Sequence, residues 1–259
     1  MNKQILVILE GKKPDLAVIN KISALLDLKL SVQIIFGANI YELYRSIHDD
    51  EFTKIEDLSF GINTFDLIKE SSSETFKDYN HELLQEYTDQ DFAFIYLFFD
   101  FDPWSASKSR PLEVVKSMLE LFSEPTELGK LFINYPSVES FNHITDNFQH
   151  LHYHYQVDGD SYKEAAGRYI PEFKQYSQIK KINQNHLLEI IQLHLQKANF
   201  ICNDAFVVPN DITEIEQVDI FEKQFIFYSQ EQKTYVLSSI PIFLFEMFGF
   251  ERLKSLLSA

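Results

Sequence analysis

Short apolar runs alternate with amphipathic stretches along the first half of the chain. The apolar runs predict four strands: QILVILE (4–10), LSVQIIF (30–36), FAFIYLFFD (92–100) and GKLFIN (129–134). Apolar residues at helical spacing predict helices within 11–26, 39–47 and 110–123, with one or two more within 48–91. A further helix is expected to start within PSVESFNHITDNF (136–148).

This alternation predicts an α/β fold, in which a mostly parallel sheet carries helices on both faces. The sheet domain is expected to span residues 1–150. Residues 151–259 should form a mainly helical region that packs on it. Its clearest helical segments are QNHLLEIIQLHLQKANF (184–200) and the almost wholly apolar SSIPIFLFEMFGF (238–250).

Composition narrows the classes of function. The chain has 259 residues and a formal net charge of −16, which argues against a broad basic surface for non-specific nucleic-acid binding. A bound metal ion would still reverse the sign of the local electrostatic field, so the net charge does not exclude an enzyme that acts on nucleic acid. Cys202 is the single cysteine, so an internal disulfide is excluded, and we interpret it as structural. The short apolar N-terminal run and the lack of a stretch of ~20 apolar residues predict a cytoplasmic protein without a membrane span.

Acidic residues follow three of the four predicted strands. Glu10 ends the first strand, Asp100 and Asp102 end the third, and Glu139 follows the fourth. The carboxyl ends of parallel strands share one edge, where ligands bind in open α/β sheets. We therefore expect these carboxylates to converge and to require a divalent cation. The alternative interpretation of Asp100 and Asp102 is a solvated acidic turn closed by Pro103.

The order of these motifs resembles the TOPRIM domain of primases, topoisomerases and OLD-family nucleases. It is closest to the RloB-like branch, which is associated with abortive infection and phage defence. The matching features are a strand into Glu10-Gly11, an acid at Asp15, a strand into Asp100-x-Asp102, and Asn134, Pro136 and Glu139 in NYPSVES. The resemblance covers roughly residues 4–145.

Four features depart from that pattern. The stretch EGKKPD lacks the Thr-Glu that often follows Glu-Gly in that branch, and Asp15 is a shorter second acid. One residue is inserted between Asn134 and Pro136, and Pro103 follows the Asp-x-Asp directly.

The resemblance implies a nuclease that depends on Mg²⁺ or Mn²⁺ and cleaves phosphodiester bonds. Asp100 and Asp102 would hold one metal ion, and Glu10 would hold a metal or act as general acid or base. Glu139 and Asp15 would complete a second metal shell. Candidate phosphate contacts near the same edge are Lys12, Lys13, Lys108 and Arg110, although a solvated surface base is the favoured interpretation of each.

Two other functions remain open. One is a non-catalytic sensor or partner subunit, acting with a protein partner or as a homodimer. The other is a phosphatase of the haloacid-dehalogenase type, which FFDFD resembles, although Trp104 stands where that family has Thr or Val.

Weaker signals lie outside the strand ends. His150, His152 and His154 alternate and could bind Zn²⁺ or Ni²⁺, but half-buried structural histidines are the favoured interpretation. His143 lies one helical turn after Glu139. Trp104 could stack on a base, although packing over the edge of the core is preferred.

Overall fold

The computed structural model describes residues 4–28, 32–47, 62–106, 112–155, 162, 164, 166, 176 and 178–258. Lys108 and Arg110 therefore lie outside the described residues. The chain divides into two compact units. The first comprises Met1–Leu16 and Lys29–Phe132, and the second comprises Ala17–Leu28 and Ile133–Ala259. This division falls at residues 132 and 133 rather than at 150, and it assigns most of the first helix to the second unit.

The first unit is built around a five-stranded sheet of order β2-β1-β3-β5-β4. The strands are β1 (Gln4–Leu9), β2 (Val32–Ile35), β3 (Phe92–Asp100), β4 (Ser123–Glu124) and β5 (Gly129–Asn134). Strand β1 pairs in parallel with β2 and with β3, while the short β4 is antiparallel to β5. The expected mostly parallel sheet is confirmed.

Strands β1 and β3 are buried on both faces of the sheet. Leu6 to Leu9 of β1 and Ile95 to Phe99 of β3 are consecutive buried residues, and side chains alternate between the faces of a strand. Such runs require cover on both faces, which explains why these two strands lack a polar side.

Four helices of the first unit follow the apolar periodicity: α2 (Ile40–Ile47), α3 (Thr64–Ser71), α4 (Glu74–Leu84) and α5 (Val114–Leu121). One buried amide ties α4 to the edge of the sheet. The backbone N–H of Ile35 donates to Asn80 Oδ1 at 3.0 Å, and Asn80 Nδ2 donates to the Ile35 carbonyl at 2.6 Å. Asn80 therefore satisfies backbone groups of β2 that a further strand would otherwise pair.

The second unit is mainly helical. Its elements are most of α1 (Asp15–Leu26), strands β6 (His152–His154) and β7 (Lys233–Tyr235), and helices α6 (Gln184–Asn203), α7 (Gln217–Glu231), α8 (Ile240–Phe248) and α9 (Phe250–Leu257). Asn183 caps helix α6, because its side chain accepts from the N–H of His186, and the helix buries Leu187, Ile191 and Leu195. The helical character expected of this region is present, with the added antiparallel pair β6–β7.

Two buried polar groups organise this unit. Asn134 Oδ1 accepts from Ser239 N at 3.0 Å and from the hydroxyls of Ser238 and Ser239 at 3.1 Å each. Lys197 of α6 is 0% exposed, and its ammonium group donates to the carbonyl oxygens of Phe148 and Leu151 at 2.6 and 2.5 Å. Burial lowers the pKa of Lys197 well below its usual value.

The stretch expected to start a helix at 136–148 behaves differently. Only a short 3₁₀ turn forms, over Val138–Asn142, and the chain leaves helical geometry at His143. Within the described ranges, none of the helices has both the length and the apolar character needed to cross a membrane.

Candidate functional site at the carboxyl ends of strands β1 and β3

Glu10 lies where β1 ends, between the two strands that flank β1. Its backbone N–H donates to the Phe98 carbonyl of β3 at 3.0 Å, and its carbonyl accepts from the N–H of Gly37 at 2.9 Å. Gly37 follows β2 with φ +78°, and a Cβ there would lie 2.4 Å from Ser73 Oγ. The backbone on both sides of Glu10 is therefore fixed by the sheet.

The Glu10 side chain reaches the end of β3. Its Oε2 accepts a hydrogen bond from the backbone N–H of Asp100 at 2.9 Å. This bond joins the two strand ends that the sequence singles out, and it brings Glu10 next to the first residue of the Asp-x-Asp pair.

Asp15 also belongs to this group of acids. Its side chain is only 5% exposed, and its Oδ2 would lie 3.2 Å from a Cβ added to Gly11. Gly11 therefore lets the Asp15 carboxylate approach the backbone directly after Glu10. The sequence spacing of Glu10, Gly11 and Asp15 thus corresponds to a close approach of the Asp15 carboxylate to Gly11.

The electrostatics of the group follow from burial and mutual repulsion. Burial raises the pKa of Glu10 to about 8, against the lowering effect of the Asp100 N–H, and the charges of Asp102 and Asp15 raise it further. Burial raises the pKa of Asp102 to about 6, partly offset by the hydroxyl of Ser105. The anionic forms of Glu10 and Asp102 are therefore disfavoured in the protein alone, and a nearby cation would relieve that cost.

Asp102 caps a short 3₁₀ turn, Pro103–Ser105. Its backbone carbonyl accepts from the Ser105 N–H at 3.0 Å, and its Oδ2 accepts from the Ser105 hydroxyl at 3.4 Å. Trp104 lies in the middle of this turn and is 57% exposed. Pro103 beside it is buried, and packing of Trp104 over the edge of the core stays a prediction.

Glu139 belongs to the second unit. It lies in the first part of the 3₁₀ turn after β5, and its Oε2 accepts from the hydroxyl of Ser137 at 2.5 Å. His143 ends this turn. Its Nδ1 bonds the Tyr162 hydroxyl at 2.8 Å, and burial lowers its pKa to about 4. At neutral pH His143 is therefore an uncharged, buried side chain.

The basic residues at the first strand end are accessible. Lys12 and Lys13 are exposed, and the Lys12 ammonium lies 5.4 Å from the centre of the Tyr79 ring. This cation–π contact places Lys12 beside helix α4. The sequence gives no sign of Tyr79 as its neighbour, because the two residues are far apart along the chain.

The weaker signals take structural positions. The ring of His150 packs edge-on against Phe200, and that of His152 against Phe227. Burial raises the pKa of the Cys202 thiol to about 12, which makes it a poor nucleophile at neutral pH.

Within the part of the chain that the structure describes, no three His, Cys, Asp or Glu side chains form a group that could hold a metal ion. Glu10 thus interacts electrostatically with Asp15 and Asp102 and bonds the backbone of Asp100, but these residues do not form a closed set of ligands. The prediction of a metal at this edge stays a prediction.

Comparison with known proteins adds no assignment. No protein-family model, no curated protein and no solved structure matches the chain.

Proposed function

We propose that the edge formed by Glu10, Asp100 and Asp102 is a metal-dependent site that cleaves phosphodiester bonds in nucleic acid. The observation that carries this proposal is the placement of these acids. In the order β2-β1-β3-β5, the strand after β1 is added on one side of β1 and the next strand on the other side, so the order switches between β1 and β3. Ligands of open α/β sheets bind at such a switch point, beyond the carboxyl ends of the strands. Glu10 and Asp100 lie at that point and are joined by a hydrogen bond.

The donor chemistry fits Mg²⁺ or Mn²⁺. Both are hard cations that prefer oxygen ligands, and Mg²⁺ commonly keeps several waters while one or two carboxylates hold it. A preformed cluster of three protein ligands is therefore not required. Asp100 and Asp102 would hold the ion, with Glu10 or Asp15 beside it. When bound, such an ion would neutralise charge on a phosphate and activate a water.

The protein's own groups supply the remaining chemistry. In the metal-free protein the raised pKa of Glu10 keeps a proton on its carboxyl at neutral pH, and the N–H of Asp100 positions this group. A cation held beside Glu10 would lower this pKa, so Glu10 would then hold the metal or act as a general base. Lys12 and Lys13, which are exposed two and three residues after Glu10, are suited to contact phosphate.

The test measures metal binding and cleavage on the same samples. Calorimetry with Mn²⁺ and cleavage of labelled DNA and RNA oligonucleotides would compare the wild type with an Asp100→Asn/Asp102→Asn variant. Asp89→Asn is the matched control, because Asp89 is exposed just before the opposite end of β3. We expect Mn²⁺ binding and cleavage in the wild type and the control, and neither in the double variant. Cleavage that survives in the double variant would contradict the proposal.

A non-catalytic binding subunit is the second candidate. It is supported by the lack of a closed metal-ligand group among the described residues. It predicts no Mn²⁺ binding near Asp100 and Asp102, and no cleavage at any metal concentration. A role in bacterial phage defence rests on the resemblance to RloB-like proteins alone, for either candidate.

A further inference from the structure

Trp104 exposes a large aromatic ring directly beside the proposed site. It is the single tryptophan of the chain and is 57% exposed, whereas Phe101, three residues earlier, is 1% exposed. Burial of a tryptophan normally contributes strongly to stability, because its apolar area is the largest of any side chain. At this position more than half of the residue's surface stays in contact with solvent.

The turn that carries Trp104 is fixed relative to the acids. Asp102 caps the turn through its carbonyl, and Ala106 N donates to the Pro103 carbonyl at 3.3 Å. The buried side chains of Phe101 and Pro103 anchor the chain before and within the turn. The indole of Trp104 and the carboxylate of Asp102 therefore belong to one short hydrogen-bonded segment.

An exposed aromatic ring offers a surface on which a nucleobase can stack, and every base has a suitable face. Bases within a duplex are already stacked on their neighbours, so this contact is available chiefly to unpaired bases. The net charge of −16 offers little general attraction for phosphate. Stacking on an uncharged ring gives affinity that does not depend on that charge.

We infer that Trp104 is a stacking platform for an unpaired nucleobase, and that the substrate of the site is a single-stranded nucleic acid. This inference rests on the proposed function of the neighbouring acids and adds the class of substrate. The strand would lie with one base on Trp104 and the adjoining phosphate toward Asp102.

The test uses the single tryptophan as its own reporter. The full chain would be titrated with oligo(dT) and oligo(U) of about 12 nucleotides, with duplexes of the same length, and with thymidine monophosphate. The titrations would be run in EDTA and again in Ca²⁺. We expect saturable quenching of the Trp104 emission by the single strands, and little quenching by the duplex or by the mononucleotide at equal nucleotide concentration.

Variants separate stacking from general binding. Anisotropy of a labelled strand should show affinity reduced roughly 5- to 150-fold in Trp104→Leu and less in Trp104→Phe. Phe94→Leu is the matched control, because Phe94 is an aromatic residue that is 38% exposed near the start of β3, whereas Trp104 follows the end of β3. Its affinity should equal that of the wild type.

Each contrary result overturns the inference. Equal quenching by duplex or by mononucleotide, an unchanged affinity in Trp104→Leu, or no binding of any strand would each refute it. Failure of the proposed function looks different. Quenching without Mn²⁺-dependent cleavage would retain the platform and reject the nuclease, whereas cleavage without a Trp104 effect would do the reverse.

Discussion

The buried carboxyl of Glu10 makes the stability of the first unit depend on pH. Its pKa rises from 4.5 to about 8, chiefly through burial. Between these two values the folded state binds more protons than the unfolded state, so the free energy of unfolding falls as pH rises. Below 4.5 the carboxyl is protonated in both states, and above about 8 it is ionised in both. The decline is therefore confined to this window.

The magnitude follows from the size of the shift. One pKa unit corresponds to about 1.4 kcal/mol, so ionisation of Glu10 costs roughly 3–5 kcal/mol of folding free energy. Glu10→Gln removes that cost, because an amide does not ionise, yet its oxygen can still accept from the N–H of Asp100. The variant should match the wild type within about 1 kcal/mol near pH 4 and exceed it by roughly 3–5 kcal/mol near pH 9.

Urea unfolding at a series of pH values in EDTA measures this difference. Emission of Trp104 reports on the first unit, which contains it. Glu82→Gln is the control, since Glu82 is exposed on helix α4 and its variant should follow the wild-type curve. Parallel pH profiles for the wild type and Glu10→Gln would refute the argument.

A second variant tests the coupling between the acids. The charge of Asp102 raises the pKa of Glu10, so Asp102→Asn should lower that pKa. The free energy of unfolding should then stop decreasing at a lower pH than in the wild type. Asp102→Asn should also remove the decrease in the free energy of unfolding that ionisation of Asp102 itself causes up to about pH 6. An unchanged upper end in this variant would mean that the two carboxyls do not interact.

Two further predictions concern the packing of each unit. Lys197→Met should lower the free energy of unfolding by roughly 2–4 kcal/mol, because two buried carbonyl oxygens lose their hydrogen-bond donor. Lys181 is exposed, so the control variant Lys181→Met should change this free energy little. Equal melting temperatures for the two variants would contradict the prediction. Gly37→Ala should lower the free energy of unfolding by about 1–3 kcal/mol more than Gly249→Ala. Both glycines have positive φ, but of the two only a Cβ at position 37 meets a neighbouring atom, 2.4 Å away. Chemical denaturation of both variants measures the difference, and an equal loss would show that backbone strain alone sets the cost.

The sequence predicts those parts of the fold that depend on local pattern. Strands β1 and β3 are recognisable because burial on both faces leaves a continuous apolar run, and the sheet then places Glu10 and Asp100 at one edge. The buried Asn80 gives no such signal. Its partner, the backbone of Ile35, lies 45 residues away in the chain.

Distant contacts also explain what sequence reasoning misses. The stretch from Val138 has helical spacing, but His143 leaves the helix and bonds Tyr162, 19 residues further on. Lys197 looks like a surface residue of an amphipathic helix, yet its ammonium binds carbonyl oxygens 46 and 49 residues away. Apolar periodicity does not predict the exposure of Trp104, because this residue lies in a short turn.

The two units interleave along the chain, and this affects how the protein is made. Residues 17–28 belong to the second unit, but the rest of that unit starts at Ile133. Roughly 100 residues, or roughly 5–20 s of synthesis, separate them on the ribosome. During that interval Val18, Ile19 and Ile22 of α1, which are buried in the finished protein, exist without the rest of the second unit. A single cut of the polypeptide also cannot release either unit whole.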